Sequence, residues 1–446
     1  MELLVFISVF ILFCLTIVKI ARKSRPVKLP PGPRQLPIIG NMHQLIGSLP
    51  HRILSDLAKK YGHLMHLQLA NVLFYNSTDI AFSPYGDYWR QLRKICTLEL
   101  LSSRQIQMFR SIREEEASNM IRSISSQEGL AVNLSTMISS LAFSIVAQAA
   151  YGKRSKYHNE FMSAIKDVTK LMGGFSIVDM YPSIKILEKI TGMRHKLQRT
   201  HKRADKALEN ILNEHRVKRA ESKPGNGEAK EDLVDVLLRI QQSGRIQQSG
   251  EFSAPLTDNN IKAVIFDVFS GGSESSATTL MWSVAEMINN PEVLKRAQDE
   301  VREIYADRGN IDESRIHKLK YLQAVIKEVF QLHPAAPLLV PREYPKRWIE
   351  PEKFYPERFL DSEIDFRGQN FSYIPFGAGR RICPGISFTL TSIQVPLAQL
   401  LYHFDWKLPA GFEQEQLDIT ETFGLAVRPK QDLVLIPMPY FRPPSM

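Results

Sequence analysis

The stretch Phe376-Gly377-Ala378-Gly379-Arg380-Arg381-Ile382-Cys383-Pro384-Gly385 restricts what this chain can become more than any other part of it. Three glycines bracket one cysteine, two arginines stand just before it, and an apolar helical pattern starts at Ile386. Glycine permits tight turns and close approach of the backbone to a flat partner, with N–H groups turned inward. A sulfur held by such groups at a helix N-terminus is stabilised as the thiolate, the form that ligates metal. Arg381 is placed to meet an acidic group on whatever the sulfur holds, and Phe376 to cover one side of the loop. The plain alternative is a glycine-rich turn around a buried, inert cysteine, and a bare Cys-Pro-Gly would favour it.

Two other stretches bear on the choice. Tyr85–Arg93 reads as a helix opening after Pro84, with Trp89 and Arg93 four apart on one face, able to hold a carboxylate between them. A surface arginine stacked on an exposed tryptophan is the competing reading. Further on, Thr257 is a candidate N-cap for a helix of about thirty residues, roughly 45 Å long, that stops before Pro291. Its middle holds Gly271-Gly272-Ser273-Glu274-Ser275-Ser276. Two mid-helix glycines cost about 1 kcal/mol each relative to alanine. A groove for a flat ligand would explain them, and so would the close packing of another helix.

Taken whole, Phe376-x-x-Gly379-x-Arg381-x-Cys383-x-Gly385 resembles the haem-binding signature of the cytochrome P-450 haem-thiolate monooxygenases at every defining position. Tyr85–Cys96, Ala263–Phe269 and Leu400–Trp406 resemble the plant microsomal branch that contains terpene hydroxylases. The resemblance implies a mainly α fold with a small, reduced β portion. It implies haem b with Cys383 as axial thiolate, a ligand that favours O–O cleavage. Arg381, Trp89 and Arg93 would hold haem propionates, and Phe376, Gly377, Gly379 and Gly385 would shape the cradle. Glu274 and Ser275 stand where the family has an acid and a threonine that relay protons. Serine keeps the hydroxyl but loses the β-branch that fixes the rotamer. Implied pocket residues are Phe82, Phe269, Gly271, Ala336, Leu339 and Phe423, each of which core packing explains nearly as well. Dioxygen is the implied co-substrate, NADPH acts indirectly through NADPH–cytochrome P-450 reductase, and the substrate is small and apolar.

Composition enters through charge and cysteine. With 57 basic and 47 acidic residues the net charge is +10, which suits an anionic membrane or an acidic partner protein. No nucleic-acid motif accompanies it. The three cysteines, Cys14, Cys96 and Cys383, are too dispersed for a disulfide framework. Leu3–Val18 is an apolar run followed by Lys19, Arg22, Lys23 and Arg25, which reads as a signal anchor with the bulk of the chain cytosolic. The expected organisation is therefore an anchor over 1–21, a basic and proline-rich hinge over 22–40, and a haem domain over 41–446 at the endoplasmic reticulum membrane. A helix is expected over 50–61, a strand over 63–69, a surface loop over 218–231 and a membrane-facing loop over 175–182. Arg194–Arg203 reads as a solvated basic face. The hexapeptide of Arg239–Gly244, repeated at 245–250, reads as a duplication in a loop.

Departures from the family lie around the loop's support. The family joins a glutamate and an arginine one turn apart to a second arginine, bracing the cysteine loop. Here Glu328 and Arg358 are present, but Gln331 replaces the first arginine. Segments that relatives carry between about Leu69 and Asn71, and again near Pro345, are expected to be missing. These features leave room for a haem-poor homologue or truncated variant. A reductase-independent isomerase or dehydratase of the same superfamily is a further alternative.

Overall fold

The computed structural model describes residues 79–152, 155–172, 193–221, 231–243, 256–336, 350–409 and 418–440, except 82, 308, 310, 351, 423 and 425, together with Pro33 and a few positions between 52 and 60. Of the helix expected over 50–61, the described positions Arg52, Ile53, Asp56, Leu57 and Lys60 are helical. The anchor, the strand over 63–69, the loop over 175–182 and the second hexapeptide copy lie outside the described residues, as does the hinge apart from Pro33. The chain divides into two compact units, one of residues 1–72, 175–195 and 341–343, the other of 73–174, 196–340 and 344–446. Nearly all described elements belong to the second.

That unit is organised around one helix, α8 (Asp258–Asn289), preceded by α1 (Asp87–Ile95), α2 (Ser103–Met108), α3 (Arg110–Ser125), α4 (Leu134–Tyr151), α5 (His158–Met172), α6 (Met193–Glu221) and α7 (Leu233–Ser243). It is followed by α9 (Pro291–Ile304), α10 (Lys320–Leu332) and α11 (Ile386–His403). Thr257 caps α8 as expected. Its hydroxyl accepts from the Asn260 N–H at 3.3 Å, and Asn260 Oδ1 accepts from the Thr257 N–H at 2.9 Å, a reciprocal pair that satisfies two exposed donors. The helix packs against α4, α7, α9, α10 and α11. It is apolar around much of its circumference because it is buried on several sides. Trp282, fully buried, donates from Nε1 to the Val427 carbonyl at 2.9 Å and so ties α8 to the C-terminal strands.

Strands are few among the described residues. β1 (Val132–Asn133) and β2 (Phe404–Lys407) flank β5 (Val434–Pro439) in an antiparallel sheet with Val132 opposite Leu435 and Phe404 opposite Pro439. β3 (Glu421–Thr422) pairs with β4 (Arg428–Pro429). One described helix, α4, is long and apolar enough to cross a membrane. Most of it is buried inside the unit, which is the placement of a core helix.

Two expectations need correction. The loop over 218–231 begins later, because α6 continues to Glu221. The first hexapeptide copy is mostly helical, since α7 runs to Ser243 and buries Ile240. The basic face is solvated as expected, with Lys196, Arg199, Lys202 and Arg203 all exposed. Thr200 is buried, and Arg203 pairs with Asp167 of α5 at 2.8 Å.

Candidate haem-thiolate site

The cysteine loop forms just ahead of α11. Gly377 and Gly379 adopt φ of +74° and +71°, which only glycine enters without strain, and a Cβ at either would meet nothing within 4 Å. The Cys383 N–H donates to the Phe376 carbonyl at 2.9 Å and closes the loop on itself. Phe376 braces the loop: its ring meets Phe330 of α10 edge-on at 4.9 Å and Phe366 at 5.6 Å. The half-buried Cys383 sulfur accepts from the Gly385 N–H at 3.4 Å. Burial raises the thiol, while that N–H and the Arg93 guanidinium favour its anion.

Basic groups collect on the same side. Trp89, 3% exposed, is no surface platform. Its Nε1 donates to the Ile80 carbonyl at 3.0 Å, and the Arg381 guanidinium lies over its ring at 4.6 Å. Arg381 donates to the carbonyls of Ala81 at 3.0 Å and Ser83 at 2.6 Å. Arg93 donates to the Ile382 carbonyl, inside the cysteine loop. Burial depresses the Arg93 guanidinium, the Cys383 and Cys96 sulfurs oppose this, and Arg381 adds to the depression. Two guanidiniums that disfavour each other beside a half-buried sulfur make a site fitted to anions.

On α8 the two glycines separate the two readings of their role. A Cβ on Gly272 would touch Val146 of α4 at 3.4 Å, so that glycine serves packing, whereas one on Gly271 would project into open space. Glu274 is half-buried, and burial raises its carboxyl while Arg428 and Lys166 pull it down. The Ser275 hydroxyl donates to the Gly271 carbonyl at 2.5 Å.

A family model for cytochrome P-450 matches residues 68–347 and 344–436. The chain belongs to the cytochrome P-450 family. Tabersonine 6,7-epoxidase isoform 1 of Catharanthus roseus is 45% identical, over 98% of this chain and 98% of that protein. Tabersonine 16-hydroxylase 2 of the same plant is 46% identical over 97% and 96%, and desmethyl-deoxy-podophyllotoxin synthase of Sinopodophyllum hexandrum 43% over 96% and 96%. Among solved structures, a zebra fish cytochrome P-450 with progesterone superposes with a TM-score of 0.70, covering 88% of this chain and all of that one at 21% identity, a likeness of fold. The chain is thus a cytochrome P-450 of plant type, its fold is that of the family, and the family's cofactor is haem with a thiolate-ligated iron. The site suits that group. It offers one soft anionic donor, glycines that leave open space, and guanidiniums for acidic substituents.

The alignment with the epoxidase is 503 residues long, which a chain of 446 cannot fill, so that relative carries several dozen residues without counterpart here. The family match begins at 68 and restarts at 344, beside the two places where segments were expected to be missing.

The bracing network is present in thinned form. Glu328, 0% exposed, accepts the Tyr355 N–H at 3.0 Å on Oε1, and its Oε2 lies 3.0 Å from Arg358 Nε. The Nε–H of Arg358 is aimed at the Tyr355 carbonyl at 3.2 Å, and Nη2 serves the carbonyls of Glu350 and Lys353. Glu328 is thus held by a backbone N–H as well as by Arg358. Burial still pushes its carboxyl up to about 7.

Of the expected pocket residues, Phe82, Leu339 and Phe423 lie outside the described residues. Phe269 is wholly buried between Phe143 at 5.7 Å and Phe161 at 5.1 Å, so it packs as core rather than lining an open wall. Ala336 is partly exposed and Gly271 exposed. Sequence reasoning passed over Asp267 and His333. Asp267 is four and seven residues before Gly271 and Glu274, hence on their face of α8, a spacing that marks it in retrospect.

Proposed function

We propose that the chain is a membrane-anchored monooxygenase that inserts one oxygen atom from dioxygen into a small apolar substrate of the terpenoid class. In this reading residues 1–21 anchor it in the endoplasmic reticulum membrane, 22–40 form the hinge, and 41–446 form the haem domain on the cytosolic side. NADPH–cytochrome P-450 reductase supplies the electrons, and the surplus of ten positive charges suits an acidic partner. Relatives named as a hydroxylase and an epoxidase of tabersonine support oxygen insertion into small molecules. The observation that carries the reading is the Cys383 loop, with its sulfur facing the Gly385 N–H beside Arg93.

Cys383 would hold the haem iron, and Arg381, Trp89 and Arg93 its acidic groups. Bound there, haem with a thiolate ligand supplies the oxygen chemistry. Gly385 tempers the sulfur's charge through its N–H, and Gly271 keeps the α8 surface open. Glu274, its carboxyl raised by burial against the pull of Arg428 and Lys166, is placed to hand on a proton. Ser275 passes that proton once its hydroxyl turns away from the Gly271 carbonyl.

A second reading, a haem-poor homologue, is favoured by the several dozen absent residues and by Gln331 beside the buried Glu328. The carbon-monoxide difference spectrum of the expressed chain separates the two. A thiolate-type band that Cys383→Ser abolishes is the expected result, and absence of haem would overturn the proposal. Normal haem without NADPH-dependent turnover would favour the isomerase or dehydratase instead.

A further inference from the structure

The backbone of Ile80 and Ala81 is gripped from both sides. Asp267 of α8 accepts both N–H groups on one oxygen, Oδ2, at 2.7 Å from Ile80 and 3.3 Å from Ala81. The carbonyls of the same two residues face the other way. Ile80 accepts from Trp89 Nε1 at 3.0 Å and Ala81 from Arg381 at 3.0 Å. Arg381 continues to the Ser83 carbonyl at 2.6 Å and stacks over Trp89 at 4.6 Å. The backbone of two residues therefore links a single carboxylate oxygen on α8 to both the tryptophan and the arginine of the cradle.

We propose that Asp267 is a positioning residue, which through Ile80 and Ala81 sets Trp89 and Arg381 where they receive the acidic groups of haem. This rests on the reading of Arg381 as a haem-carboxylate partner. Arginine and tryptophan side chains are worth most as anion holders when their orientation is settled before the guest arrives. Arg381 sits just ahead of α11 and has five N–H donors to distribute. The loop carbonyls decide which of them turn toward the sulfur side. A strong acceptor on α8 in turn decides where those carbonyls lie, because hydrogen bonds to an ionised carboxylate are about twice as strong as neutral ones. A neutral side chain of the right shape with an oxygen at the Oδ2 position could take both N–H groups, though less strongly.

Charge at Asp267 comes at a cost, which argues that it serves something other than stability. Burial, then the neighbouring Asp79 carboxylate, pushes Asp267 up to about 7 against the pull of the Ile80 and Ala81 N–H groups. The other titratable groups that sense it are Tyr88 of α1, raised to about 12, and the buried Cys96 at the end of that helix. Near neutral pH the grip therefore passes between its ionised and its neutral form.

The test follows haem dissociation from the holo-protein into excess apomyoglobin, for the full chain and for Asp267→Asn, Asp267→Ala, Arg381→Ala and the double variant Asp267→Ala/Arg381→Ala. Asp267→Ala is expected to lose haem on the order of tenfold faster and Asp267→Asn no more than about threefold faster, because the amide oxygen keeps the acceptor. The double variant is expected to lose haem faster than Arg381→Ala by well under the tenfold step of Asp267→Ala alone, since the aspartate acts partly through the arginine and only its Trp89 branch remains. Additive effects, or an Asp267→Ala rate equal to that of the parent while Arg381→Ala is fast, would overturn the role of Asp267. An unchanged rate in Arg381→Ala would instead overturn the reading of Arg381 itself. Should Asp267→Ala not fold, the pH profile decides: the parent's haem loss should quicken as pH falls through about 7, and that step should vanish in Asp267→Asn. A step of the same size in both proteins refutes the proposal.

Discussion

Restoring the arginine at position 331 would test how much the thinned network costs. Glu328 has no exposed surface, and its carboxyl titrates at about 7 instead of near 4.5, with burial as the leading cause. Unfolded, the group gives up its proton near 4.5, while the folded chain holds it until about 7. Stability therefore falls as pH rises through that window and stays lower above it. The gap is worth roughly 3 kcal/mol at 1.36 kcal/mol per pH unit. Gln331 is one turn from Glu328 on α10, close enough for an introduced guanidinium to reach the carboxylate. That guanidinium must itself leave water, so about 2 kcal/mol is recoverable. For a chain of this size the gain corresponds to a melting temperature about 2 °C higher at pH 8. At pH 5 the folded carboxyl is neutral, and Gln331→Arg should bring no gain or a small loss. Differential scanning fluorimetry of both proteins at the two pH values reads this directly. Equal gains at both, or none at pH 8, would refute the idea that Glu328 is short of positive charge.

Three further outcomes follow from the geometry. His333, stacked flat on Trp282, meets Glu286 at 2.7 Å and Glu421 at 3.6 Å, and although burial works the other way these carboxylates raise its imidazole above 6.5. Its contribution is fully present below pH 6.5 and is lost as pH rises through the folded value, so His333→Gln should lower unfolding stability most at pH 6, by about 1.5–3 kcal/mol at the most, and progressively less above it, as denaturant melts would show. Gly271→Ala should stabilise the chain by about 1 kcal/mol through helix propensity while reducing product formation, because the methyl group enters the open space beside α8. Gly272→Ala adds a contact with Val146 and should leave product formation close to the parent, as product assays on the two variants would reveal. Ser275→Thr should raise product formed per NADPH consumed, since the β-branch restricts the hydroxyl's rotamers, and an unchanged ratio would defeat that argument.

Much of the site was legible because its signals are local. Gly377, Gly379 and Cys383 are read from adjacent positions, and the conformations they adopt are those that only such residues permit. The Thr257 cap and the stop before Pro291 were legible for the same reason, since both depend on the backbone within a turn. The fate of Trp89 was not. Whether an i, i+4 tryptophan and arginine lie on a surface or in a core depends on what covers them, and here Arg381, far away along the chain, lies over the tryptophan ring. Phe269 misled in the opposite direction, because an apolar residue near the site packs equally well behind it.

The sequence by itself determined the family, the glycine-rich loop around Cys383 and the glutamine that stands one turn from Glu328, because each is written in residue types that have few physical substitutes. Only the tertiary structure decided which groups share the load. It supplied the Tyr355 N–H for Glu328, assigned Gly272 to packing and Gly271 to open space, and joined Asp267 to Trp89 and Arg381 through the backbone of Ile80 and Ala81. Such contacts are made by backbone carbonyls and N–H groups, which every residue carries alike. Sequence cannot mark them, and folding alone selects the few that meet.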